Sequence, residues 1–255
     1  MKERLAKAGY ALSTALFAVL AVLFFFVAVR SFIDNVIYMH NEGMLFAVTN
    51  RDGSYSGGYL GIACGFAAYL LYMCTLIIPR IRHNMNWFMK FTHELTHTLL
   101  AVVFFAKIRE FVVKEKECYV NYQSGPLGYV PITLSPYCIP IYTFMVFPFR
   151  FAGQNNFMLF FDFLIAFTYA FHLHSFIKQT RLSQSDIENC GPARSIAFIS
   201  FVNLAVLSLI IATPKGGVLN AIIRVYGMYP KAILVNGWSW ITDIINVFSL
   251  LSRLN

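Results

Sequence analysis

The sequence predicts an all-α polytopic membrane protein of about six transmembrane helices, seven if the C-terminal stretch adds one, with a short β-hairpin midway. Three observations carry this. The 255 residues are 58% hydrophobic, with a mean hydropathy of +0.62. Only 13% are charged, where a soluble domain has about a quarter. Apolar runs able to cross a ~30 Å hydrocarbon layer recur along the chain, with Lys and Arg between them. The net charge of +8 therefore follows the positive-inside pattern, and the basic-aromatic interleaving of a nucleic-acid groove is absent.

Taken in order, the basic start Met1 to Lys7 leads into a first span from about Tyr10 to Val29. That run exceeds the apolar region of a signal peptide and lacks a small-residue cleavage site, so it is expected to be retained. A loop of mixed charge, 31–56, precedes span two, about Gly57 to Ile78. There Gly57, Gly61 and Gly65 recur every fourth residue as a ridge that lets another helix approach. The loop Arg80 to Asn84 is the most basic short connection and is expected on the cytoplasmic side with the N-terminus. Span three covers about Asn86 to Ala106.

Between Lys107 and Gly128 the pattern changes. Ile108–Val113 and Cys118–Tyr122 are rich in β-branched and aromatic residues, which reads as a β-hairpin or as an ordinary extramembrane loop. Span four, about Val130 to Phe149, contains Pro131, Pro136, Pro140 and Pro148 and cannot be a regular helix. Broken backbone at membrane depth belongs where it is buried in protein or lines a wet cavity. Arg150 is expected to close it on the cytoplasmic side. Span five runs from about Asn156 to Ile177, a polar loop from Lys178 to Ser195, and span six from about Ile196 to Ala212. Residues 216–255 read either as a seventh span from about Ala232 or as an interfacial helix with Trp238 and Trp240 at headgroup depth. The whole reads as one multi-pass domain, 1–255, with a core at about 86–177 and accessory spans at 8–78 and 196–255. The five cysteines, Cys64, Cys74, Cys118, Cys138 and Cys190, form no C-x-x-C pair and read as small hydrophobes.

The chemistry lies in span three, at His93-Glu94-Leu95-Thr96-His97. On a helix, an H-E-x-x-H pentad projects both histidines from one face toward a single zinc ion, and Glu94 can act as base for a water at the metal. Ionisable groups inside a span are costly, so a functional partner is expected. His93 lies ~10 Å along the helix from Asn86, and Asp162 lies ~9 Å along span five from Asn156. If span four crosses the membrane, spans three and five enter from the same side, which puts Asp162 level with the histidines as third ligand. His172 and His174 fall ~15–18 Å further along span five and read as interfacial or supporting residues.

These residues resemble the site-2-type intramembrane metalloproteases. The resemblance covers roughly Asn86 to Ile177: the pentad at His93, Glu94 and His97, a strand-forming segment at Lys107 to Gln123, and an aspartate two spans on, at Asp162. Leu134-Ser135-Pro136-Tyr137 is similar to the family's Gly-Pro turn, with Ser135 in place of glycine; Phe163 stands where many members have glycine after the aspartate. No PDZ-like insertion is present. The resemblance implies a zinc-dependent endopeptidase cutting a peptide bond in or near a membrane-spanning substrate. It implies His93, His97 and Asp162 as ligands of Zn2+, and Glu94 as the general base that takes a proton from water and returns it to the leaving amine. The unwound substrate would pair with the strand-forming segment, bringing Val120, Tyr122, Ser135 and Pro136 against it. Asn155 and Asn156 read as oxyanion partners or as helix caps.

The expected setting is the bacterial inner membrane, with the site opening to the cytoplasm and partners limited to lipid and membrane-embedded substrate. Two other readings stay open. A non-catalytic relative that binds metal or senses a partner would keep the histidines. A membrane zinc protease of another family would take a glutamate ligand, for which Glu188 is the one glutamate beyond the hairpin. A transporter would show repeat symmetry between the halves, and none is visible.

Overall fold

A computed structural model of the chain describes residues 2–41, 59–114, 117–152, 157–215 and 217–236. Gly57, Asn155, Asn156, Trp238, Trp240 and the stretch beyond 236 lie outside the described residues. A long first helix, α1 (Lys2–Asn41), is followed by α2 (Leu60–Thr75) and α3 (Pro79–Val103). The strands β1 (Lys107–Val113) and β2 (Cys118–Gln123) come next. Then α4 (Pro126–Leu134), a 3-10 turn (Ser135–Tyr137), α5 (Ile141–Ala152) and α6 (Met158–Gln179) follow. The six-residue α7 (Ser185–Cys190) precedes α8 (Pro192–Ala212). Last come α9 (Gly217–Ile222), a π-helical turn (Ile223–Met228) and α10 (Tyr229–Val235).

The protein is predominantly helical and membrane-type. Among the described residues, four helical stretches are long and apolar enough to cross a membrane: 4–38, 158–179, 192–212 and 217–235. The pair formed by α4 with its 3-10 turn and α5 makes a fifth, bent by 89°. Pro136 in the 3-10 turn and Pro140 just before α5 sit at the break and account for the bend. The helix carrying the pentad, α3, is not among these stretches: Arg80, Arg82 and His83 make its first turns polar, and Asn86, Lys90, His93, Glu94 and His97 do the same for the rest. Residues 80–84, expected as a loop, are instead its first turns, opened by Pro79 at a position where a missing N–H costs nothing.

The hairpin is present, its two strands antiparallel, with Phe111 opposite Val120, Ile108 opposite Tyr122 and a bulge at Arg109. It follows directly from the end of α3, where Phe105 takes a left-handed conformation (φ 52°) and turns the chain out of the helix.

Packing fixes the relative direction of the helices. A Cβ at Gly61 would lie 2.7 Å from the Leu159 carbonyl oxygen, and one at Gly65 2.3 Å from that of Phe163, so the glycine ridge seats α2 backbone-to-backbone on α6. Tyr69 then bonds His174 at 2.9 Å, so α2 and α6 run parallel. Helix α5 runs the other way along α6, with Thr143 on Thr168 and Arg150 on Asp162. Helices α1 and α8 are parallel, with Tyr10 on Gly191, Phe17 on Phe198 and Phe24 on Phe201.

One end of the bundle therefore collects the starts of α1, α3 and α8, the ends of α2 and α6, and α7. The other end collects Tyr38, Lys215, Arg150 and Asp162. Everything from Pro79 to the 3-10 turn stays at the first end: Gly128 packs on Phe104, Tyr122 bonds Thr133, and Tyr137 bonds Asp186. Only α5 carries the chain to the far end. Arg150 thus lies at the end opposite residues 80–84, where the sequence expectation had both together. Cysteines placed at positions 84 and 151 in a cysteine-free background should label from opposite faces of the membrane with an impermeant reagent. Labelling of both from one face would refute this arrangement.

Candidate metal centre

The two pentad histidines sit one turn apart on α3 and both are buried. His97 donates its Nδ1 proton to the Ile132 carbonyl oxygen at 2.8 Å. A carbonyl oxygen can only accept, so this contact fixes the tautomer and leaves the Nε2 lone pair pointing the other way. His93 is held in the same sense, its Nδ1 3.3 Å from the Gln179 side-chain oxygen at the end of α6. That oxygen also accepts from Ser175 at 3.1 Å.

Both Nε2 atoms face one oxygen, Asp186 Oδ2, each at 3.5 Å. His93, His97 and Asp186 thus form a group able to hold a metal ion, their ligating atoms all within 4.8 Å of one another. In the neutral tautomer two imidazole lone pairs and a carboxylate converge, an arrangement that can hold a cation at its centre. The 3.5 Å separations exceed a good N–H···O bond. They approach the ~3.3 Å edge of a tetrahedron with ~2.0–2.1 Å zinc bonds. The donor set therefore fits.

Asp186 is presented by a deliberate local structure. Helix α7 is anchored by Ile187 and Cys190, which are buried against Leu134, Tyr137, Phe198 and Ile199. Ser195 of α8 reaches back to the Ile187 carbonyl at 3.2 Å. Between α7 and α8, Gly191 has φ +85°, and a Cβ there would lie 2.5 Å from the Tyr10 ring, so glycine is required twice over. Tyr137 Oη donates to Asp186 Oδ2 at 3.0 Å. Burial alone would raise the carboxyl's pKa, but when the two imidazoles are protonated their hydrogen bonds and charge outweigh burial and hold Asp186 well below the usual carboxylate range.

Asp162, expected as the third ligand, is not brought to the histidines. It is fully buried against Arg150, with Arg150 Nε 2.7 Å from its Oδ1. It lies ~25 Å along α6 from Gln179, which contacts His93. Helix α3 starts at the end of the bundle where α6 finishes, so equal distances along the two helices do not mean equal depth. The group also reaches beyond the 86–177 core, since Asp186 comes from the polar segment read as a loop. The signal available was Ile187 and Cys190, apolar residues at helical spacing inside that segment and just before Gly191-Pro192.

The remaining expected residues divide. Glu94 is buried beside the histidines and, with His93, lines a cleft of about 870 Å³. The Tyr122 ring lies 6.3 Å from that of His97 and its hydroxyl bonds Thr133 at 2.7 Å. Val120 is half-buried on the same strand face as Tyr122. Ser135 is fully buried and donates to the Ile132 carbonyl at 2.8 Å, so it braces the oxygen that orients His97. Pro136 lines a small cavity with Thr92, His93 and Thr96. His172 lines that same cavity and bonds Asn203 at 3.4 Å, His174 bonds Tyr69, and Glu188 is exposed.

Comparison with protein families, with curated proteins and with solved structures finds no match to this chain.

The two aspartates separate cleanly by experiment. Asp186→Ala should lose bound metal, whereas Asp162→Ala should keep it while losing stability of about 3–5 kcal/mol, because Arg150 is left buried without that carboxylate. Metal analysis and thermal unfolding of both proteins in detergent test this; loss of metal in Asp162→Ala alone would overturn the assignment.

Proposed function

We propose that the protein is a zinc-dependent intramembrane peptidase, hydrolysing a peptide bond in or near a membrane-spanning substrate, as the resemblance of its pentad implies. One observation carries the reading: two imidazole lone pairs and a carboxylate face a common point, and a buried glutamate stands beside them on the wall of an open cleft. Two imidazoles and a carboxylate suit zinc and leave a position for water. When bound by His93, His97 and Asp186, zinc supplies Lewis-acid polarisation of that water and of the scissile carbonyl.

The protein's own residues do the rest. Glu94 accepts the proton from the water and returns it to the departing amine. Ile132 and Gln179 hold the rings by their Nδ1 atoms, so a ligand lost through ring rotation is avoided. The hairpin offers an open strand edge near the site, with Val120 and Tyr122 on one face, to which an unwound substrate would add as a further strand. Pairing there replaces main-chain bonds the substrate gives up on leaving its helix. Arg4, Lys7, Arg80, Arg82, Arg181 and Arg194 sit at the site end of the bundle, which supports an opening toward the cytoplasm by the positive-inside rule. With α2 and α3 also embedded in the membrane beside the four long helices and the bent pair, the embedded segments number seven, the upper count the sequence allows.

A non-catalytic metal-binding role has one contact in its favour. The Tyr137 hydroxyl restrains Asp186 from the protein side, as a purely structural site requires. The two readings part at Glu94. Glu94→Gln should lower cleavage of reconstituted membrane peptides about 10²–10⁴-fold with metal content unchanged. Cleavage undiminished by this change would contradict the peptidase reading. Full metal occupancy with no cleavage by the wild type would favour the structural role.

A further inference from the structure

Above Glu94, the described walls of the cleft carry basic groups. Along α3, His83, Asn86, Lys90 and Glu94 follow one another at helical spacing and share the face that lines it. The facing wall is the end of α6 and the turn after it, with Lys178, Arg181 and Gln184. Basic groups therefore stand on both sides, and Glu94, next to the metal ligands, is the one carboxylate among the described lining residues. From His83 to Glu94 the helical rise gives ~16 Å, the length of about five residues of extended chain.

We infer that this cleft binds an acidic, extended stretch of polypeptide about five residues long, leading the scissile bond to the metal ligands. The inference rests on the peptidase reading for what enters the cleft and adds the class of substrate: chains with Asp or Glu on the water-exposed side of the cleavage point. Charge supplies the attraction, since a concave surface of one sign focuses its field on the opposite charge. The amide N–H groups of Asn86, Gln179 and Gln184 on the same walls supply donors for a main chain's C=O groups, and the Gln184 oxygen supplies an acceptor for its N–H groups, while the Asn86 oxygen accepts from Lys178 and that of Gln179 holds His93 and Ser175. That mixture favours a peptide over a lipid phosphate, which only accepts.

Binding can be read without catalysis. Full-length Glu94→Gln protein in nanodiscs of zwitterionic lipid is titrated, by fluorescence anisotropy, into two short peptides of equal length carrying the same neutral dye. One is glutamate-rich and the other has lysine at the same positions. The acidic probe should bind about tenfold more tightly, with the difference shrinking as salt is raised. Adding Lys178→Glu and Arg181→Glu should reverse the preference, while Lys178→Gln and Arg181→Gln should only reduce it, with metal content reporting that each protein is folded. Equal binding of the probes, binding of neither, or a preference that survives charge reversal overturns the inference. Loss of acidic-probe binding when anionic lipid is added at constant ionic strength also overturns it and gives the cleft to a headgroup. Failure of the peptidase reading shows separately, in the cleavage assay.

Discussion

Two imidazoles whose Nδ1 protons are committed to fixed oxygen acceptors have only lone pairs left to offer, and here both are turned on the same carboxylate oxygen. That constraint explains much of the surrounding architecture. The Ile132 carbonyl is available only because α4 ends in a proline-built 3-10 turn, and Ser135 of that turn braces the same oxygen. Gln179 is available because α2, seated on α6 through Gly61 and Gly65, returns the chain to the end of α6 just before α3 begins. Asp186 is available because α7 is pinned at Ile187 and Cys190 and closed by a glycine that tolerates Tyr10. Features that look like local irregularities all lead to one point.

The other buried charge pair does a different job. Arg150 and Asp162 join α5 to α6 at the far end of the bundle. A paired, hydrogen-bonded charge is tolerable in an apolar interior where a single one is not. Their separation from the histidines divides the molecule into an end that carries the candidate metal centre and an end that holds helices together.

Several elements were legible in the sequence for physical reasons. Pentad spacing dictates that His93 and His97 share a helix face, and four prolines dictate a broken span; the β-branched runs flanking Lys114–Glu117 suit strands or a loop, and the structure pairs them as a hairpin. Asp162 was misplaced for an equally physical reason. An apolar segment of adequate length was counted as a crossing, although the polar first half of α3 and the bent α4 keep that whole region at one end of the bundle. A single miscounted crossing inverts every later inference of depth. Asp186 was hidden because short helices pinned by two apolar residues look like loops, and because its partners are distant in sequence.

The central claim is that His93, His97 and Asp186 share one ion. X-ray absorption at the zinc edge, on purified protein carrying Asp186→Cys and separately Asp162→Cys, tests it most directly. The account predicts a sulfur scatterer at about 2.3 Å beside imidazole nitrogens in the Asp186→Cys protein, and a nitrogen and oxygen shell without sulfur in Asp162→Cys. Sulfur appearing in the second protein and not in the first would contradict it.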